Sequence, residues 1–181
     1  MSELTNLHTS ANSAANHALA MRDVIQQYLT FMLGPEIFAV NILNIKEIIE
    51  YGQLTEVPQM PNFIRGVINL RGAVVPVIDM AARFGKASSD ITRKTCVVIV
   101  EVNQDNEQYV VGMLVDAVNE VLDIPAHQVE PPPAFGANIQ SNFIAGMGKV
   151  NEKFVIILNV DRVLSMDEMA SLAEVNEANA H

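Results

Sequence analysis

Cysteine occurs once in this chain of 181 residues, at Cys96. A lone thiol excludes an internal disulfide and any multi-cysteine metal site, and it predicts a reducing compartment. Basic residues are scarce too: 11 Lys and Arg stand against 21 Asp and Glu, a formal charge of −10. A field of that sign repels phosphate backbones and anionic lipid, which argues against nucleic acid as a partner. Long apolar runs are missing. Val97-Val98-Ile99-Val100 and Phe154-Val155-Ile156-Ile157-Leu158 fall far short of the roughly 20 residues that span a bilayer. No basic start followed by an apolar stretch opens the chain as a secretory signal would. The sequence therefore predicts a cytoplasmic protein that inserts into no membrane.

What is present is apolar material, 50% of the residues, enough for a packed core. Residues 1–24, rich in Ser, Asn, Ala and Thr, predict a flexible tail with at most a short helix over Ala14 to Ile25. From Gln26 the pattern turns to strands. Tyr28 to Leu33 and Ile37 to Val40 flank a Gly34-Pro35 turn and predict a hairpin. Ile42 to Glu50 mixes periods, as a single helical turn running into a strand would. Val67 to Met80 predicts two strands joined at Arg71-Gly72. The later part repeats this order, with strands over Thr95 to Val102 and Gln108 to Leu114 around Gln104-Asp105-Asn106-Glu107. A loop follows at Pro131-Pro132-Pro133, then strands over Ile144 to Val150 and Phe154 to Val160. A C-terminal helix is expected over about 162–174, capped by Asp161, with Val163, Leu164, Met166, Met169 and Leu172 as its apolar face. Residues 171–181 complete the chain as a second flexible tail.

The order of strands is an internal repeat. Asn62-Phe63-Ile64-Arg65-Gly66 returns 80 residues later as Asn142-Phe143-Ile144-Ala145-Gly146, and the match continues without a gap to Asp79 and Asn159. Ile45-Lys46-Glu47-Ile48-Ile49 likewise resembles Val118-Asn119-Glu120-Val121-Leu122. Each half is a small strand unit, and a unit of that size is marginal alone because too little of its surface leaves water. The expectation is an all-β fold within 25–170: one barrel over about 26–90, a second over about 94–161, sharing an apolar face beside a groove.

A search for chemistry finds none. His8, His17, His127 and His181 are scattered, without the spacing of a zinc site. No glycine loop of phosphate-binding form occurs, and Cys96 opens a run of Val and Ile that suits packing better than nucleophilic attack. No enzyme activity, metal or cofactor is expected. In the Phe63 to Gly72 stretch the apolar positions persist between the copies. Arg65, Asn69 and Arg71, in contrast, become Ala145, Lys149 and Asn151. Shape alone therefore does not require these polar groups, and Arg71 is either a solvated turn residue or a binding residue.

Phe63 to Gly72 with Ala73 to Met80, Gln108 to Asp116, the proline loop through Phe135, and Asn142 to Gly148 together resemble the CheW family of bacterial chemotaxis coupling proteins. The likeness runs from about Gln26 to Met169. It implies a pair of SH3-like five-stranded β-barrels with no catalysis. The implied role is to couple the cytoplasmic tip of methyl-accepting chemoreceptors to the C-terminal regulatory domain of the histidine kinase CheA. Carried over by position, Ile45, Glu47 and Phe135 would face the kinase, while Arg71, Asn69 and Cys96 would serve the receptor and signalling side. Such a chain would be a monomer in isolation and would reach membrane arrays only through its partners. An adaptor of a paralogous pathway, serving pilus motility or another kinase cascade, fits the same residues. A self-associating structural domain and an enzyme built on Cys96 or Asp79 are the readings outside that class.

Overall fold

The computed structural model describes residues 24–132 and 141–165. They form eleven strands and two one-turn helices. In order these are β1 (Ile25–Leu33), β2 (Glu36–Asn41), β3 (Ile45–Glu50), β4 (Ile64–Leu70), β5 (Ala73–Asp79) and α1 (Met80–Arg83). The second copy follows as β6 (Cys96–Gln104), β7 (Glu107–Val115), β8 (Ala117–Pro125), β9 (Val129–Glu130), β10 (Ile144–Val150), β11 (Lys153–Leu158) and α2 (Val160–Val163). The hairpins close on two-residue turns. Arg71-Gly72, Asp105-Asn106 and Asn151-Glu152 all take positive φ at both positions. That handedness matches the twist of the strands they join. Ile42–Asn44 is the expected single turn before β3, capped by the Asn41 side chain.

The strands pair into two sheets, ordered β8-β1-β2-β11-β10-β9 and β3-β6-β7-β5-β4. Each is closed by a brief contact from the chain that leaves its first strand. Thr55 bridges Val67 in one, and β9 pairs with Met147 and Gly148 in the other. The repeated glycine makes that approach possible: a Cβ on Gly66 would meet Thr55 O at 2.5 Å, and one on Gly146 would meet Val129 Cγ1 at 2.5 Å.

The expected division into barrels over 26–90 and 94–161 is corrected by this pairing. The N-terminal hairpin β1–β2 belongs with β8 to β11, and β6–β7 completes the sheet of β3 to β5. Each copy lends its hairpin to the other. The parallel pairings β11 with β2 and β5 with β7 are where the copies interlock.

The swap explains why β6 is apolar at every position from Cys96 to Val100. Val97 and Ile99 point into one barrel with Val75, Val77 and Leu114. The alternate residues Val98, Val100 and Val102 point the other way, into a core shared by both barrels with Phe31, Phe38, Ile78, Met113 and Leu158. A smaller cluster of Tyr28, Ala39, Ile124, Val155 and Ile157 fills the other barrel. Phe31, Phe38, Phe84 and Phe143 form a chain of ring contacts through the shared core, with centroids 5.4–6.4 Å apart. Such pairs add about 0.5–1.5 kcal/mol each beyond their burial.

Two further corrections concern helices. The expected C-terminal helix over about 162–174 begins instead at Val160, and its helical turn ends at Val163. Its buried residues Val163 and Leu164 pack as the periodicity suggested, whereas Met166, Met169 and Leu172 lie outside the described residues. Asp161 does not cap it; Asn159 holds that position, and Asp161 accepts the Asn103 N–H at 2.9 Å. At the other end, Ile25 belongs to β1 rather than to a helix from Ala14, and residues 1–23 lie outside the described residues.

Candidate docking surface

Arg71 stands first in the two-residue turn between β4 and β5, at φ +55. The turn is clamped by Asn69, whose Oδ1 accepts the Gly72 N–H at 2.9 Å. The clamp holds the turn, and with it the Arg71 backbone, above the neighbouring strand. From there Arg71 Nη2 reaches Glu47 Oε2 on β3 at 3.1 Å. Arg71 is 81% exposed at its side chain and Glu47 26%. A pair this open contributes only about 0–1 kcal/mol to stability. Its main consequence is to present a planar cation and a carboxylate together at one barrel end.

Residues assigned by resemblance to different partners are thus brought together, Glu47 with Arg71 and Asn69. Ile45 is different: it is half-buried and packs on the shared core. A register shift at Lys46 separates it from Glu47. Cys96 pairs with Glu50 at the far end of β3. It packs against the shared core, as Val118 does, and its thiol donates to the Lys94 carbonyl at 3.3 Å. Burial first, and then the Glu50 charge, push the thiol pKa up, against a lowering hydrogen bond at Val118. A thiol so shifted is a poor nucleophile at neutral pH. Phe135 lies outside the described residues.

Two exposed apolar side chains escaped the sequence reading. Ile48 on β3 and Val121 on β8 are each 44% exposed. The step that carries Ile45 to Val118 in the repeat also carries Ile48 to Val121, so both copies keep an apolar group there. Their strand partners, Val98 and Leu29, belong to the shared core, so both project from the faces that meet between the barrels. The signal was present in the aligned repeat.

Arg65 has a different role. It reaches Asp79 at 3.2 Å and the Ser89 carbonyl at 3.4 Å. Asp79, with no side-chain exposure, also accepts the N–H groups of Ala82 and Ser89. The second copy replaces both charges, with Ala145 and Asn159. Arg65 is therefore part of the fold of its copy, and the inference that shape does not require it is corrected. Among the described residues no group of three His, Cys, Asp or Glu could hold a metal. No helix among them is long and apolar enough to cross a membrane.

The CheW-like domain family matches residues 27–168. The chain belongs to the CheW-like family. It is 34% identical over 169 residues to the chemotaxis protein CheW of Klebsiella aerogenes, covering 93% of this chain and 99% of that one. The crystal structure of the scaffolding protein TtCheW from Thermoanaerobacter tengcongensis matches with a TM-score of 0.71 at 31% identity, over 80% of this chain and 90% of that one. Protein FrzA of Myxococcus xanthus is 27% identical over 150 residues, 82% of this chain and 91% of FrzA. As a CheW-like protein, the chain is a chemotaxis adaptor with the two-barrel fold, and the surfaces described above are surfaces of a scaffold.

Proposed function

We propose that the chain couples the histidine kinase CheA to the cytoplasmic tip of methyl-accepting chemoreceptors, without catalysis of its own. It works as a cytoplasmic monomer recruited to membrane arrays by these partners. Glu47, the exposed edge of Ile45, and Phe135 engage the regulatory domain of the kinase. Arg71, Asn69 and Cys96 serve the receptor side, with Ile48 and Val121 extending the apolar surface between the barrels. The observation that carries this reading is the open Arg71–Glu47 pair, built on a clamped turn and lacking a charged counterpart for Arg71 in the second copy. The fold does not need that pair, whereas a partner that reads charge and shape together does. Modest contacts suffice, because a micromolar complex is worth about −8 kcal/mol and tethering in an array raises effective concentration.

The test is reconstitution of kinase, receptor signalling fragment and this chain, reading kinase turnover. Arg71→Ala is expected to abolish receptor-dependent activation while leaving the folded chain able to bind kinase. Full activation by the variant sinks the reading. The similarity to FrzA favours one second reading, an adaptor of a paralogous kinase cascade or of pilus motility. The kinase that copurifies with the chain distinguishes the two.

A further inference from the structure

One charged side chain stands between equivalent rings of the two barrels. Arg83, half-buried at the end of α1, lies with its guanidinium carbon 5.2 Å from the ring centroid of Phe63 and 4.7 Å from that of Phe143. These rings are the same residue of the repeat in its two copies. The backbone holds them alike: the Phe63 carbonyl accepts the Asp79 N–H at 2.7 Å, and the Phe143 carbonyl accepts the Asn159 N–H at 2.8 Å. Arg83 Nε also donates to the Val163 carbonyl at 2.9 Å, and Val163 is the residue that replaces Arg83 in the second copy. The side chain therefore marks the local axis between the copies, and only one copy supplies it.

We infer that Arg83 is a positioning residue without which the angle between the two barrels is no longer fixed. The shared core holds the barrels together, and the Lys86–Glu36 pair and the Asp116 N–H to the Met32 carbonyl cross at its edge, but apolar burial itself is non-directional. A guanidinium held between two rings and one carbonyl is directional in three contacts at once. Phe63 leads into β4 of one sheet and Phe143 into β10 of the other, so the cation ties one anchor from each barrel. The value of a fixed angle to signalling rests on the adaptor reading above. The angle itself does not, and it is measured on the free chain without any partner.

The experiment is nuclear magnetic resonance of the full chain in a weakly aligning medium. In the unaltered protein, couplings from residues 25–41, 117–130 and 144–158 and those from 45–79 and 96–115 are expected to fit one alignment tensor. In Arg83→Gln each set fits its own tensor, and Arg83→Lys, which keeps a cation over the rings, moves back towards one. A single tensor for Arg83→Gln, equal in quality to the parent, overturns the proposal. A second measurement needs no substitution. The Arg83 Nε–H resonance is expected to be shielded by the rings and protected from exchange, and an averaged, rapidly exchanging signal overturns the proposal equally.

Discussion

Asp79 is fully buried with Arg65 3.2 Å away, and in the second copy both charges have been replaced, by Asn159 and Ala145. One chain thus contains both solutions to the same position in the fold, an ion pair and a neutral pair. Replacing one partner alone strands a charge; replacing both reproduces a combination that already folds.

Arg65→Ala is therefore expected to cost about 3 kcal/mol, because it leaves the buried carboxylate without its cation. Asp79→Asn costs less, since Arg65 is partly exposed at its side chain and water can take the lost place. The double variant should recover at least about 1 kcal/mol relative to the sum of the single changes. Urea unfolding of all four proteins measures the coupling, and strict additivity contradicts the pairing.

Ile45 and Ile48 separate folding from docking. Ile45→Asp places a charge against the shared core and should lower the melting temperature by several degrees, corresponding to about 2 kcal/mol or more. Ile48→Asp acts on an exposed position and should leave stability within about 0.5 kcal/mol of the parent. On the proposed reading, Ile48→Asp weakens partner binding while the chain stays folded. Calorimetric melting beside a binding titration checks both arms.

Arg71 occupies a left-handed backbone position that a non-glycine residue adopts at a cost of about 1 kcal/mol or more. Arg71→Gly should then raise the melting temperature slightly, even though it deletes the ion pair with Glu47. Asn69→Ala loses the clamp on Gly72 and should cost about 1 kcal/mol. A stabilised Arg71→Gly chain that no longer supports receptor-dependent kinase activation would separate strain from function in one substitution.

Cys96 should react slowly with iodoacetamide at neutral pH, because burial and Glu50 disfavour its thiolate. A thiol with a raised folded pKa keeps its proton longer than in the unfolded chain. Its contribution to stability is therefore present at neutral pH and is lost as alkaline pH rises through the folded value. Alkylation rates measured from neutral to alkaline pH test this, with a free-cysteine peptide as reference. Equal rates contradict it.

Much of this was legible in residue order, because turns and alternation act locally. Gly34-Pro35, Arg71-Gly72 and Asp105-Asn106 declared their hairpins, and the repeat put Gly66 and Gly146 at one position, though only the structure shows that each barrel closes there. The exchange of hairpins was not legible. β6 is apolar on both faces, which reports burial twice over but carries no statement of which sheet it joins. That choice is made by pairing across distant segments, Ile49 with Val97 and Val77 with Gly112. Spacing alone could not reveal that Glu47 meets Arg71 beside the Asn69 clamp, that Ile45 packs on the core or that Arg65 answers Asp79.

The crossed hairpins also set a timetable for synthesis. β1 and β2 leave the ribosome well before their partners β8 and β11, which end at Pro125 and Leu158. The nascent β1–β2 hairpin must wait, with its strand edges open, until β11 has been made. Contacts this distant in the chain slow folding and expose intermediates to aggregation. For this adaptor, a ribosome that stalls midway releases no usable half.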